Sequence, residues 1–263
     1  MSKIVKQLDS LRERIATYNE PGFPADLLQR LTILQSEELF DLDFFGDTFE
    51  EGYLDLMGVL AQSEVAPHIR SLILRCPDTG ANGTCSWNLE PMLETNVSFP
   101  NLELFSIQLN QPGDHNCSII GTDYEENAIV SKLLKQSPNL VELTIPSAPA
   151  AHFFEMGERP IEFLSVDAGY DTQDFIANLA KSSCFPDLSC LEWGEHNLTS
   201  MDDYLERCTS IEHYRELFEA KSFAQVSRFV WRNPVCSDQE IKELKELRPE
   251  LQLLVVRTSA YYI

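Results

Sequence analysis

One frame of apolar residues recurs along this chain and limits its possible folds more than any other feature. Pro100-Asn101-Leu102-Glu103-Leu104-Phe105-Ser106-Ile107, Pro138 through Ile145, Pro186 through Trp193 and Pro249 through Val256 share the pattern P-x-L-x-x-L-x-L. It returns at Pro67 with Ile69, Leu72 and Leu74. Without the proline it returns at Leu39, Leu42 and Phe44, at Ile161, Leu164 and Val166, and at Val226, Phe229 and Trp231. The eight units begin near residues 37, 67, 100, 138, 159, 186, 224 and 249. Every frame position is apolar in a chain that is only 43% hydrophobic, so composition alone does not produce the pattern.

The frame has a direct physical meaning. Its last two apolar residues are two apart, so they share one face of a short strand. A single unit cannot cover that face, but a stacked neighbour can. Helical segments are expected between the strands. Thr122-Asp123-Tyr124-Glu125 reads as a capping box ahead of Ile129, Val130, Leu133 and Leu134. Ser237-Asp238-Gln239-Glu240 is a second, ahead of Ile241, Leu244 and Leu247, and Thr172 reads as the cap of a helix through Phe175, Ile176, Leu179 and Ala180. This alternation predicts an α/β chain with a parallel sheet on one side and helices on the other. Residues 4–18 read as an amphipathic helix and, with 24–34, predict an N-terminal helical cap over 1–36. Residues 37–263 form one repeat domain, closed by a strand at 251–257 and by Tyr261, Tyr262 and Ile263. Segments 77–87 and 110–122 read as loops on one rim.

The L-x-x-L-x-L core resembles the leucine-rich repeat superfamily, in an irregular form closest to the ribonuclease-inhibitor-like type, over roughly residues 37–257. The asparagine usual after the core is present at Asn110; Pro77, Ala148, Gly169, His196, Pro234 and Ser259 stand in the equivalent places. The resemblance implies a leucine-rich-repeat solenoid with a concave parallel sheet, and a role in binding other proteins.

Charge narrows the class of partner. The net charge is −22. Residues 31–220 carry 33 acidic and eight basic groups, whereas 221–263 carry seven basic and five acidic ones. Such a surface repels nucleic-acid phosphates and attracts a basic protein. No apolar run is long enough for a membrane span, and Met1 through Asp9 lack a signal-peptide pattern, which predicts a cytoplasmic protein. Seven cysteines without a C-x-x-C pair read as reduced thiols rather than a disulfide framework or a zinc site. No cofactor or metal motif occurs.

The partner-binding residues are expected on the strand positions that alternate with the frame: Asp41, Asp43, Phe45, Ile73, Arg75, Leu104, Gln108, Glu142, Phe163, Asp167, Glu192, Arg228, Arg232 and Arg257. Together they predict a concave face that mixes apolar and acidic groups and turns arginine-rich at its far end. The function expected is non-enzymatic protein binding, in its sharpest form an inhibitor or immunity-type protein that masks a basic partner such as a nuclease toxin. A scaffold or regulatory subunit of a larger complex is the second reading. An enzyme using His115 with Cys117, Cys190 with His196, or a carboxylate site is the third.

Overall fold

The computed structural model describes residues 3–80, 83–94, 97–121, 126, 128–195 and 202–258. In chain order the elements are α1 (Lys3–Thr17), β1 (Arg30–Ser36), β2 (Leu39–Phe45), α2 (Glu51–Leu60), β3 (Ile69–Arg75), β4 (Thr84–Trp87), α3 (Glu90–Leu93), β5 (Leu104–Ile107), β6 (Cys117–Ile120) and α4 (Ile129–Gln136). They continue as β7 (Glu142–Ile145), β8 (Phe163–Asp167), α5 (Phe175–Lys181), β9 (Cys190–Gly194), α6 (Tyr204–Arg207), α7 (Ile211–Glu219), β10 (Arg228–Arg232), α8 (Asp238–Leu247) and β11 (Gln252–Val256).

The main sheet has nine strands in the order β1-β2-β3-β5-β7-β8-β9-β10-β11. Position in the sheet therefore follows position in the chain. Every pair is parallel except β1–β2. The frame residues explain the register. Leu72 and Leu74 pair with Phe105 and Ile107, Leu143 and Ile145 with Leu164 and Val166, and Leu191 and Trp193 with Phe229 and Trp231. All twelve are 1% exposed or less. They meet the apolar sides of the helices, as where Trp193 stacks on Phe175 of α5 with ring centroids 4.9 Å apart. Burying one such aromatic stabilises by roughly 2–3 kcal/mol.

Several polar groups in this core are paired. Trp231 Nε1 donates to the Tyr214 hydroxyl at 3.0 Å, and that hydroxyl donates to the Glu195 carboxylate at 2.6 Å. Trp87 Nε1 donates to Ser118 Oγ at 2.9 Å. Ser237 and Glu240 form the expected capping box on α8.

Five expectations are corrected. First, the N-terminal cap is not wholly helical. Arg30–Ser36 is a strand that pairs antiparallel with β2 through the two-residue turn Glu37-Glu38, with Glu37 at φ +58°. Second, the two rim loops contain β4 and β6, which pair in parallel as a small second sheet. Third, Cys76 and Cys85 form a disulfide, against the expectation of reduced thiols. The end of β3 and the start of β4 are brought together by that second sheet, and sequence spacing alone does not reveal it. Fourth, the last frame is one residue shorter than read: Phe229 pairs with Leu253 and Trp231 with Val255. Leu253 and Val255 pack on the core, and Leu254 is 46% exposed. Fifth, Thr172 is not the residue at the N-cap of α5. That place belongs to Asp174, in the left-handed region at φ +52°, while the Thr172 carbonyl accepts from Phe175 N at 2.8 Å. Thr122 through Glu125, His196 and Tyr261 through Ile263 lie outside the described residues.

Candidate functional site

Helices line one side of the main sheet, and the alternate strand residues form the opposite face. Nine strands about 4.8 Å apart give that face a length of roughly 40 Å. Its rows follow from the register. One row runs Asp41, Ser71, Leu104, Glu142, Phe163, Cys190, Arg228, and the next runs Asp43, Ile73, Ser106, Thr144, Ser165, Glu192, Val230.

The acidic residues at the first strands are not free charges. Arg70 donates Nε and Nη2 to the two oxygens of Asp41, at 3.0 and 2.6 Å. Arg75 does the same to Asp43, at 3.0 and 2.5 Å. Arg70 gains that position from a bulge: Phe40 pairs with Ile69 and Asp41 with Ser71, leaving Arg70 as the extra residue. Such a bulge re-aims a side chain, and no sequence signal marks it here. Phe45 lies under Arg30, whose guanidinium carbon sits 3.9 Å from the ring centroid.

The far end is paired as well. Arg232 on β10 reaches Asp167 on β8 at 2.9 Å and Glu192 on β9 at 3.0 Å. Glu192 also accepts from Ser165 Oγ at 3.1 Å. Burial opposes the charge on Arg232, but the two carboxylates outweigh it and raise the pKa further. The residues after β5 stand beside this cluster. Leu109 and Pro112 share with Asp167, Glu192, Arg232 and Val256 a cleft of about 410 Å³. Gln108 lies instead at the disulfide, in a small cleft with Cys76 and Cys85.

Arg257 does not join the face. It donates to Asp238 Oδ1 at 2.8 Å and to the Cys236 carbonyl at 3.2 Å, beside α8. This follows from the frame slip in the last unit. The remaining residues do share the face: Ile73, Leu104 and Phe163 are half-buried, and Glu142 and Arg228 are exposed. Leu104 and Phe163 flank Glu142 in one row. Among the described residues Glu142 has no ion pair.

The catalytic alternatives rest on His115, Cys117, Cys190 and His196, the last of which lies outside the described residues. His115 Nδ1 lies 3.1 Å from Asp78. Burial pushes the Cys117 thiol up to about 11, which keeps it protonated near neutrality. Burial also raises the Cys190 thiol. Among the described residues no three metal-ligating side chains cluster, and no helix is long and apolar enough to cross a membrane. No protein-family model, curated protein or solved structure matches the chain.

Proposed function

We propose that the chain is an irregular solenoid of the leucine-rich-repeat type and that it binds another protein through the helix-free face of its sheet. The chain-ordered parallel strands and single helix side support the architecture. The row Leu104–Glu142–Phe163 carries the functional reading. A carboxylate with no ion pair among the described residues, set between two half-buried apolar side chains, matches an interface anchor, in which apolar groups supply affinity and the charge selects a cation. Asp41, Asp43, Asp167 and Glu192 are held by arginines of the same chain, so the contact is proposed at this row rather than at the predicted acidic end. Its partner is a protein with a basic surface. Masking such a partner, as an inhibitor or immunity-type protein does, is the form that best uses a net charge of −22.

The test is affinity capture of the partner from the native host, followed by binding kinetics on variants. Phe163→Ala and Leu104→Ala each weaken binding about tenfold or more. Glu142→Lys slows association and weakens its salt dependence. A partner whose binding is indifferent to all three variants overturns the reading.

A further inference from the structure

A second surface lies off this row, at the first strand of the sheet. β1 begins at Arg30 opposite Phe45, where β2 ends, so the linker before β1 and the loop after β2 run side by side. Between them is a groove of about 540 Å³. Its walls are fixed by the chain itself. The Asn19 side chain clamps the Gln29 backbone, donating to its carbonyl at 2.9 Å and accepting from its N–H at 2.8 Å. The Gln29 amide donates to Glu50, and the Tyr18 hydroxyl donates to Asp55 at 2.8 Å. Gly22, at φ +90°, makes the turn that brings Phe23 back to the groove.

Two properties of the groove point to an occupant. Phe23 and Phe49 line it while 52% and 74% exposed, and they are the two exposed phenylalanines among the described residues. Two aromatic rings left partly in water beside a preformed groove offer apolar surface that a ligand would bury. Every charged side chain lining the groove is acidic: Glu20, Glu50 and Glu51. Burial, then repulsion from Asp47 and Glu20, raises the Glu50 carboxyl. A nucleic acid is repelled here. A second copy of the chain brings its own charge of −22.

We infer that this groove docks a peptide segment of a partner protein that presents an apolar side chain flanked by lysine or arginine. The apolar side chain sits between Phe23 and Phe49, and the cations face Glu20, Glu50 and Glu51. The surface is separate from the Leu104–Glu142–Phe163 row, and each can fail without the other.

The experiment is selection of phage-displayed random peptides on the full chain, in parallel with the Phe23→Ser/Phe49→Ser double variant. Circular dichroism checks the fold of each variant; both rings are exposed, so the double variant is expected to keep it. Peptides with Leu, Phe or Trp beside Lys or Arg should be enriched on the wild type about tenfold over the double variant. A synthetic copy of one such peptide should bind less tightly to Glu20→Gln/Glu50→Gln/Glu51→Gln, with its salt dependence reduced. In NMR its shifts should fall on residues 18–29 and 47–54. The triple variant keeps both phenylalanines and serves if the double variant unfolds. No enrichment over the variants, enrichment of peptides without cations, shifts elsewhere, or self-association through the groove overturns the inference.

Discussion

Arg232 meets Asp167 across Gly194, on the strand between them. A Cβ at Gly194 would lie 1.9 Å from Asp167 Oδ1 and 3.3 Å from Arg232 Nε. The glycine is therefore the gap through which β10 and β8 are joined over β9. Asp167 is 8% exposed, so the pair it makes there is largely out of water.

Gly194→Ala should force this pair apart. Removing one partner of a buried ion pair costs roughly 3–5 kcal/mol, because the other charge is left without compensation. Urea unfolding should give a loss of about that size for Gly194→Ala and for Arg232→Ala. The double variant Asp167→Asn/Arg232→Met should lose less than Arg232→Ala alone. Additive losses would mean that the two residues are not coupled.

The corrected frame of the last strand makes a sharp contrast. Phe229→Ala should lose about 3–5 kcal/mol as a buried aromatic. Leu254→Ala should cost under about 0.5 kcal/mol, because Leu254 is exposed, and Leu253→Ala should cost more than Leu254→Ala. Equal losses at 253 and 254 would overturn the register.

The disulfide closes a short loop. Loop-closure entropy predicts that Cys76→Ser/Cys85→Ser lowers stability by roughly 2–3 kcal/mol. Thermal unfolding should show a lower Tm for the variant, and a reducing agent should bring the wild type to the same value. If the wild type and variant melt together without reductant, the bridge contributes nothing.

Glu195 sets a pH dependence. Burial raises its pKa, opposed by hydrogen bonds from Tyr214 and Thr209. A carboxyl whose folded pKa is raised holds its proton more tightly in the folded state. Its stabilising contribution is full below the unfolded pKa and is lost as pH rises through the folded one. Unfolding free energy measured from pH 4 to 8 should contain this loss, and Glu195→Gln should remove it. An unchanged slope in the variant would mean that Glu195 does not titrate in this range.

The core was legible because its signal is a period. Leu72 and Leu74, Phe105 and Ile107, and Phe229 and Trp231 all sit where the L-x-x-L-x-L frame puts them. The hairpin of β1 was not, because its turn is Glu37-Glu38, without the Asn-Gly or Asp-Gly that normally marks a two-residue loop. The last register is ambiguous in the sequence because Leu251, Leu253, Leu254, Val255 and Val256 are all apolar, so two frames fit equally well. At the candidate site, the sequence placed Asp41, Asp43, Asp167 and Glu192 on one face but could not pair them. Arg70 comes from a bulge, and Arg232 reaches 65 residues back in the chain to Asp167. Pairing over that distance depends on strand order, which single-residue patterns do not encode.

The chain-ordered sheet also makes the sequence a ruler. A partner lying along it meets residues in numerical order, one strand at a time, so cross-linked peptides should appear as a ladder rather than a scatter. The first and last rungs of that ladder would give the partner's footprint and its direction without a structure of the complex.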